Sequence, residues 1–428
     1  MSEFTMAFWI IMTGALAAAS CGLLGSFLVL RKMSLIGDAI SHSVLPGIAI
    51  AFLLSGSRST LPMILGASAF GLLTAVLIET LNRRWRVQED ASIGIVFTAL
   101  FALGVVLISL YAGHIDLDQE CVLYGEIAYT PFDLLSWGDL SLGPRPVWLL
   151  GIVFFIDLLF VLLFYKELLI SSFDPGMAIS IGINATLIHY ALMAAVSMTT
   201  VAAFESVGAI LVVAMLIVPG ATAYLLTDNL KTMLWLSVLV GVISSTAGYF
   251  VAVVWDSSIA AVMTVISGLL FMSAFIFSPR HGLASKAFNH FLLSINVIVD
   301  HILLSLYRIS EKKAAALMTR AQLFRETEEG ALRAVLAWFT LKRKKYIQAN
   351  TQQQYFLTPE GMKQAASLVR RHRLWETFLD ESGLPSDHVH EPANRMEHFI
   401  KEDLETKLIQ TVGEKQSDPH GKPIPEAQ

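Results

Sequence analysis

The sequence contains little cysteine and little charge for its length. Only two of its 428 residues are cysteine. Cys21 lies in an apolar stretch and Cys121 in a predicted loop, so neither a disulfide framework nor a thiolate metal site is expected. Charged residues make up 15% of the chain and apolar residues 55%, which is too apolar for an ordinary soluble domain. The net charge of −5 gives no reason to expect a nucleic-acid partner.

Charge is divided unevenly along the chain. Up to Arg280 there are 10 Lys and Arg against 17 Asp and Glu, whereas the remaining 148 residues contain 20 and 18. This contrast predicts a membrane domain over residues 1–280 and a water-soluble part after it. Within that part we expect an amphipathic linker helix over 281–310, a helix-rich domain over 311–412, and a disordered tail over 413–428.

Nine apolar stretches approach the roughly 20 residues that a membrane span requires. They cover about 6–30, 35–54, 61–81, 91–111, 147–165, 178–203, 206–226, 232–255 and 258–278. We therefore predict an all-α polytopic membrane protein of eight or nine transmembrane helices, followed by a mainly α C-terminal domain. Eight of ten loop Lys and Arg residues fall in alternate loops. By the positive-inside rule this places the N-terminus outside the cell membrane and the C-terminal domain in the cytoplasm.

The second apolar stretch contains the polar motif "GDAISHSVLPG" at residues 37–47. Asp38 and His42 are one helical turn apart and project from the same face. An ionised aspartate at mid-membrane costs about 2.5–3.5 kcal/mol on insertion scales, so the pair requires a partner or a wet cavity. Pro46 has no N–H to donate to the carbonyl of His42, which is left free beside the imidazole.

Three interpretations of this pair remain open from the spacing alone. Carboxylate and imidazole together suit a divalent first-row metal, so the pair fits a metal path. It also fits a hydrogen-bonded pair that holds helices together, or a proton relay. Two ligands from one chain do not complete a metal site, but two copies facing each other across a two-fold axis supply four.

Two longer runs carry a resemblance to a known family. The run "LRKMSLIGDAISHSVLPGIAIAFLL" at 30–54 closely resembles the signature of permease subunits of ABC-type manganese, zinc and iron importers, and "VGAILVVAMLIVPGATAYLL" at 207–226 resembles a later segment of that family. The resemblance implies a permease that carries metal inward, with Asp38 and His42 lining the path. It also implies a second or sister permease, an external metal-binding protein and a separate ATPase.

The chain itself contains no G-x-x-x-x-G-K-[ST] loop, which is the signature of an ATP phosphate site. We therefore expect a transport subunit rather than an enzyme. The resemblance also implies a contact with the ATPase in a cytoplasmic loop, and we assign this contact to "GATAYLLTDNLK" at 220–231.

The water-soluble part contains polar residues at helical spacing. "LTPEG" at 357–361 is typical of a turn that closes a β-wing before a helix that begins with Pro359. Two sets with the i, i+3 and i, i+4 spacing of helix-borne metal ligands follow. They are His372 and Glu376, and then His390, Asn394, Glu397 and His398.

The stretch of residues 355–399, which contains these two sets, resembles the metal-binding and dimerisation region of iron- and manganese-dependent repressors of the diphtheria-toxin-repressor type. The resemblance assigns one regulatory metal site to His372, Glu376 and His390. It assigns the second site to Glu397 and His398.

The chain departs from these repressors at two points. Asn394 stands where they carry cysteine or glutamate, which leaves it only a candidate ligand. No acidic or methionine ligand is recognised at the start of the domain, so the second site is predicted to be incomplete or altered.

A fainter resemblance to the repressors' winged helix-turn-helix extends over 311–358. "KRKK" at 342–345 could contact phosphates, but the charge balance after Arg280 is only +2, and a membrane tether restricts access to operators. DNA is therefore not an expected partner. Three interpretations of the domain remain open. In the first, it controls the permease by sensing metal or simply dimerises. In the second, it is a module without a metal role, and in the third, it binds DNA.

The sequence thus predicts a permease subunit for divalent manganese, zinc or iron, fused to a domain that could bind a regulatory divalent metal. Two rival classes remain. One is a proton-coupled secondary transporter that uses Asp38 and His42 as its relay. The other is a membrane-tethered, metal-dependent transcription regulator whose spans only anchor it.

Overall fold

The computed structural model describes most of the chain. The described residues are 2–56, 60–111, 127–137, 140–312, 318–325, 331–385 and 388–426, the last range without 397, 399, 401 and 414. They divide into two compact units, Met1–Ser285 and Lys286–Gln428. Cys121 lies outside the described residues.

The first unit is a bundle of long apolar helices. Its helices are α1 (Glu3–Leu30), α2 (Leu35–Ser43), α3 (Leu45–Ser55), α4 (Thr60–Trp85), α5 (Glu89–Tyr111), α6 (Arg145–Leu163), α7 (Tyr165–Phe173), α8 (Pro175–Ser180), α9 (Ala185–Val207), α10 (Ala209–Leu226), α11 (Leu230–Trp255) and α12 (Ile259–Phe277). Between α5 and α6 lie a short 3₁₀ helix, Ile127–Phe132, and an antiparallel hairpin of β1 (Leu134–Trp137) and β2 (Leu140–Pro144).

All nine predicted apolar stretches coincide with helices, with α2 and α3 together forming the second span. Among the described residues, ten helices are long and apolar enough to cross a membrane, so the predicted count of eight or nine is too low on that criterion. The additional helix is Leu283–Glu311. Its apolar residues serve a different purpose, because many of them are buried in the core of the second unit.

Small residues allow the helices of the bundle to approach closely. Helix α1 packs against α10 and α11, and a Cβ added to Gly25 would lie 1.8 Å from the carbonyl oxygen of Leu216. Because apolar side chains gain nothing by leaving lipid, such close backbone packing is a main source of helix association in a membrane.

The described residues of the second unit form six helices and a small sheet. Its elements are α13 (Leu283–Lys312), β3 (Met318–Thr319), α14 (Arg320–Arg325), α15 (Ala331–Arg343), β4 (Ile347–Ala349), β5 (Gln354–Leu357), α16 (Pro359–Glu381), α17 (His390–Met396) and α18 (Glu402–Val412). The strands pair antiparallel in the order β3-β5-β4. Helices α14 and α15 followed by the β4–β5 hairpin give the predicted winged-helix arrangement.

The wing ends as the sequence predicts. Thr358 caps α16 by accepting a hydrogen bond from the backbone N–H of Gly361 at 3.0 Å, and Pro359 is the first helical residue. Proline suits this position because its missing N–H has no helical acceptor there.

Helix α13 is an integral part of the second unit. One stripe of its side chains is buried together with Trp338 and Leu341 of α15 and Leu368 of α16. The buried residues of that stripe include Ile295, Ile298, Val299, Ile302, Leu303 and Leu306. The predicted amphipathic linker over 281–310 thus coincides with a helix that the winged-helix domain needs for its core.

The described residues after 412 contact the domain instead of forming the disordered tail that the sequence predicts. Ser417 and Pro423 form an isolated β-bridge, and the carboxylate of Asp418 lies 3.6 Å from Nε of Arg373. Arg373 also donates to the carbonyl oxygen of Pro423. Because Asp418 is buried, its ion pair requires this docked conformation.

Candidate metal centres

The polar pair of the first unit, Asp38 and His42, lies on α2, just before the interruption that separates α2 from α3. Nε2 of His42 is 3.5 Å from Oδ1 of Asp38, at i, i+4 spacing. The Asp38 side chain is 45% exposed and that of His42 35% exposed in the single chain. The pair is therefore only partly covered by its own chain, where His42 lies beside Phe97 of α5 at a ring-centroid distance of 5.9 Å, and lipid alone would solvate the uncovered part poorly.

The interruption between α2 and α3 follows from Pro46. Val44 separates the two helices, and the backbone N–H of Ile48 resumes the helical pattern by donating to Val44 at 3.1 Å. Since proline carries no N–H, the carbonyl of His42 lacks its usual helical donor. Pro46 itself is buried.

A second polar group in the bundle connects the ends of several helices. Arg31 lies 3.3 Å from Nδ1 of His189, and Nε2 of His189 lies 3.5 Å from Oε2 of Glu79. Oε1 of Glu79 pairs with Arg83 at 2.9 Å. With two arginines against one carboxylate, this group is suited to holding helices together rather than to binding a cation.

The second unit contains a compact group of metal-ligating side chains on α16 and α17. Nε2 of His372 lies 3.0 Å from Oε1 of Glu376 and 3.2 Å from Nδ1 of His390. Nδ1 of His390 is 2.6 Å from the same carboxylate oxygen. One ligand atom from each residue thus lies within 4.8 Å of the others. The structure brings together the three residues that the resemblance assigns to one site.

The charge state of this group suits a divalent cation. Burial acts to raise the pKa of Glu376, but its hydrogen bonds with His372 and His390 outweigh burial and lower that pKa to about 2. The carboxylate is therefore ionised at neutral pH. One anionic oxygen and two imidazoles form a donor set that Mn²⁺, Fe²⁺ and Zn²⁺ all accept.

A further histidine near this group was not predicted. Nε2 of His420 lies 4.0 Å from Oε1 of Glu376, because the segment around Asp418 folds back over α16. This residue falls in the segment that the sequence predicts to be a disordered tail. The signal that could have located it is the sequence Asp-Pro-His-Gly at 418–421, which is typical of a turn.

A residue of the second predicted site lies beside an acidic side chain that was not predicted. Nδ1 of His398 lies 3.1 Å from Oδ2 of Asp300, and its ring centroid is 4.9 Å from that of His301. Asp300 belongs to α13, so the structure places an acidic side chain beside His398. It lies before residue 311, where the sequence prediction began the domain, and was therefore not considered as a ligand.

The other two predicted residues of this site are less informative. Asn394 lies on α17 and is half-buried. Glu397 lies outside the described residues.

Comparison with known proteins gives two family matches. Residues 3–278 match the ABC 3 transport family. Residues 358–426 match the iron dependent repressor, metal binding and dimerisation domain.

Individual relatives cover the first unit almost completely. The chain is 50% identical over 278 residues to the manganese transport system membrane protein MntD of Bacillus subtilis (strain 168), covering 65% of this chain and 94% of the relative. It is 42% identical over 307 residues to the zinc transport system membrane protein TroD of Treponema pallidum (strain Nichols), covering 71% and 83%. The solved structure of PsaBC from Streptococcus pneumoniae in complex with Fab is similar with a TM-score of 0.55 and 34% identity, covering 65% of this chain and 94% of that chain.

These matches span both units and agree with the arrangement of their helices. The chain is a multi-pass membrane subunit rather than an enzyme, and ATP hydrolysis belongs to a separate subunit. It belongs to the ABC 3 transport family and carries at its residues 358–426 a metal-binding and dimerisation domain of the iron-dependent repressor type.

Proposed function

We propose that this chain is the permease subunit of an ATP-driven importer of a divalent first-row metal ion, with Asp38 and His42 in the translocation path. The observation that carries the proposal is the partial exposure of this pair on a membrane span. A partly exposed carboxylate and imidazole on such a span require solvation by something other than lipid. The transport of manganese and zinc by the relatives MntD and TroD, as their names state, supports this class of cargo.

The path is completed by a second permease subunit, either a second copy or a sister chain. Asp38 and His42 supply two ligands, whereas these metals take four or more. A facing subunit with the same pair supplies the remainder. The free carbonyl of His42, which Pro46 creates, offers an additional oxygen to the ion or to its hydration water.

In this proposal, the orientation of the loops determines on which face of the membrane each partner binds. In this proposal the connection between α6 and α9, and the second unit, lie in the cytoplasm, which the basic residues of alternate loops support. The metal-binding protein then delivers the ion at the opposite, outer face. Labelling of single cysteines from one side tests this topology, and labelling of the 164–184 connection from outside would contradict it.

The ATPase docks on α7 and α8 in this proposal. This short helix pair exposes Phe173 and Met177, at 64% and 55%, next to Ile179 and Ile181. By contrast, most of the segment 220–231 assigned from the sequence lies in α10, and only 227–229 remain between helices. Met177→Asp should weaken co-purification of the ATPase, while unchanged co-purification would remove α8 from this interface.

The C-terminal domain senses the same class of metal. We assign one site to His372, Glu376 and His390. His420 becomes an additional ligand after a small movement of its side chain toward Glu376, from which it is 4.0 Å away. The second site uses Asp300 and His398.

Two further residues complete this assignment. Glu397 is the carboxylate proposed for the second site, and Asn394 is a neutral candidate ligand beside it. A neutral amide in place of an anion weakens the attraction for a divalent ion, so the second site should be the weaker of the two.

Uptake of manganese, zinc and iron tests the transport proposal. Cells that express the chain with its ATPase should lose uptake of the cargo metal when His42 is replaced by alanine, with the amount of inserted protein unchanged. His290→Ala, an exposed histidine outside the span, serves as the matched control. Uptake of all three metals at the wild-type rate in His42→Ala would remove the pair from the path.

A further inference from the structure

We propose that the second unit rests on the anionic cytoplasmic leaflet of the membrane through α15 and the first half of α13. In α15, Leu332 and Phe339 are 69% and 64% exposed. They are seven residues apart and so lie on one face of the helix. The helix therefore presents large apolar side chains where a DNA-reading helix would present polar ones.

The same surface is strongly basic. Residues 331–358 contain five Lys and Arg residues and no Asp or Glu, in a chain whose net charge is −5. Arg343 and Lys345 at the end of α15 are exposed. Lys342 is held over the ring of Trp338 at 5.5 Å, which fixes one positive charge beside the apolar face.

This face continues onto the helix that follows the last span. Arg333 of α15 donates to Ser294 of α13 at 3.3 Å. The residues of α13 just before that contact are again exposed and apolar, namely Phe288 at 61%, Leu292 at 42% and Leu293 at 40%. Helix α13 begins only six residues after the end of α12 at Phe277, so the apolar face starts close to where the chain leaves the bilayer.

An anionic bilayer is the occupant that fits both properties at once. Phenylalanine and leucine favour the boundary between headgroups and acyl chains, and Lys and Arg at its edge gain from anionic lipid. A second copy of the chain fits less well, because an isologous contact through α15 brings the two basic clusters together. Duplex DNA satisfies the charges but leaves Leu332 and Phe339 against polar base edges.

Spin labels on the full-length protein in nanodiscs test the proposal independently of transport. The label is placed by Phe339→Cys in a Cys121→Ser background, since Cys21 is fully buried. Ser382→Cys, at the far end of α16, is the matched aqueous control. In discs containing phosphatidylglycerol, the label at 339 should be more accessible to oxygen than to a water-soluble nickel chelate, and the label at 382 should show the reverse. In discs of phosphatidylcholine alone, the label at 339 should become more accessible to the chelate.

Charge reversal distinguishes a surface site from a general charge effect. Arg343→Glu with Lys345→Glu should abolish the response to phosphatidylglycerol. Lys407→Glu with Lys422→Glu makes the same change in net charge at other exposed positions. This control should leave the response to phosphatidylglycerol intact.

Three outcomes would overturn the proposal. One is a label at 339 that stays aqueous in both lipids. Another is protection of that label by duplex DNA but not by anionic lipid. The third is dipolar broadening between two labels at 339 whatever the lipid, which would identify a second copy as the occupant.

Discussion

Single residues decide what each centre can bind. In the first unit, the proposed metal path depends on a carboxylate and an imidazole 3.5 Å apart that are partly exposed on their own chain. In the second unit, Glu376 is buried and shared by two histidines. Its ionised carboxylate, held between the two imidazoles, is the anion of the proposed regulatory site.

Replacement of Glu376 tests the regulatory site at this scale. Glu376→Gln keeps the shape but removes the only anion of the three-residue group. We expect its affinity for Mn²⁺ to fall by at least about tenfold, measured by calorimetry on the full-length protein with Asp38→Asn in both samples to silence the membrane site. Asp403→Asn, an exposed carboxylate on α18, is the control, and an unchanged affinity in Glu376→Gln would refute the assignment.

The side chains that meet at the candidate metal centres could be predicted from the sequence only in part. The i, i+4 spacing gave Asp38 with His42 and His372 with Glu376, because one helical turn places such side chains on the same face. Asp300 and His420 were missed since they approach their partners across 98 and 44 positions of sequence. Such contacts depend on how α13 and the C-terminal segment pack, which local spacing does not encode.

The helices of the first unit could be predicted from the sequence more directly than those of the second unit. The bilayer sets the length and composition of a span, so all nine spans could be predicted, and the break before α10 falls at Gly208 with φ of 81°. Helix α13 has comparable length, but its role depends on a core formed with α15 and α16. That tertiary context could not be read from apolar length alone.

Close packing of α1 against α10 gives a prediction at the scale of elements. In Gly25→Ala the new methyl group would overlap the carbonyl of Leu216, so the two helices must move apart. Overpacking typically costs about 1–3 kcal/mol, and contact with backbone places this site at the upper end. We expect a lower melting temperature in detergent, whereas Gly151→Ala, with no atom within 4 Å of the added Cβ, should melt as the wild type does.

At the scale of the whole molecule, the chain combines a transport unit with a metal-binding unit. If the second unit limits uptake, a protein truncated after Arg280 should import metal without slowing at high internal metal. The truncation retains the ion pair between Arg280 and Asp228 and all nine predicted spans. Uptake that slows equally in the truncated and full-length proteins would show that the second unit does not regulate the permease.

The Asp38–His42 pair is the part of the chain that we propose to carry a divalent metal ion across the membrane. The most direct test is ATP-driven uptake of radioactive manganese and zinc into proteoliposomes that contain the chain and its ATPase, comparing wild type, Asp38→Asn and Asp256→Asn. The control changes an exposed aspartate at the end of α11, where φ is 48° and asparagine is well tolerated. We predict that Asp38→Asn abolishes uptake while Asp256→Asn retains it. Uptake by Asp38→Asn at the wild-type rate would contradict the account.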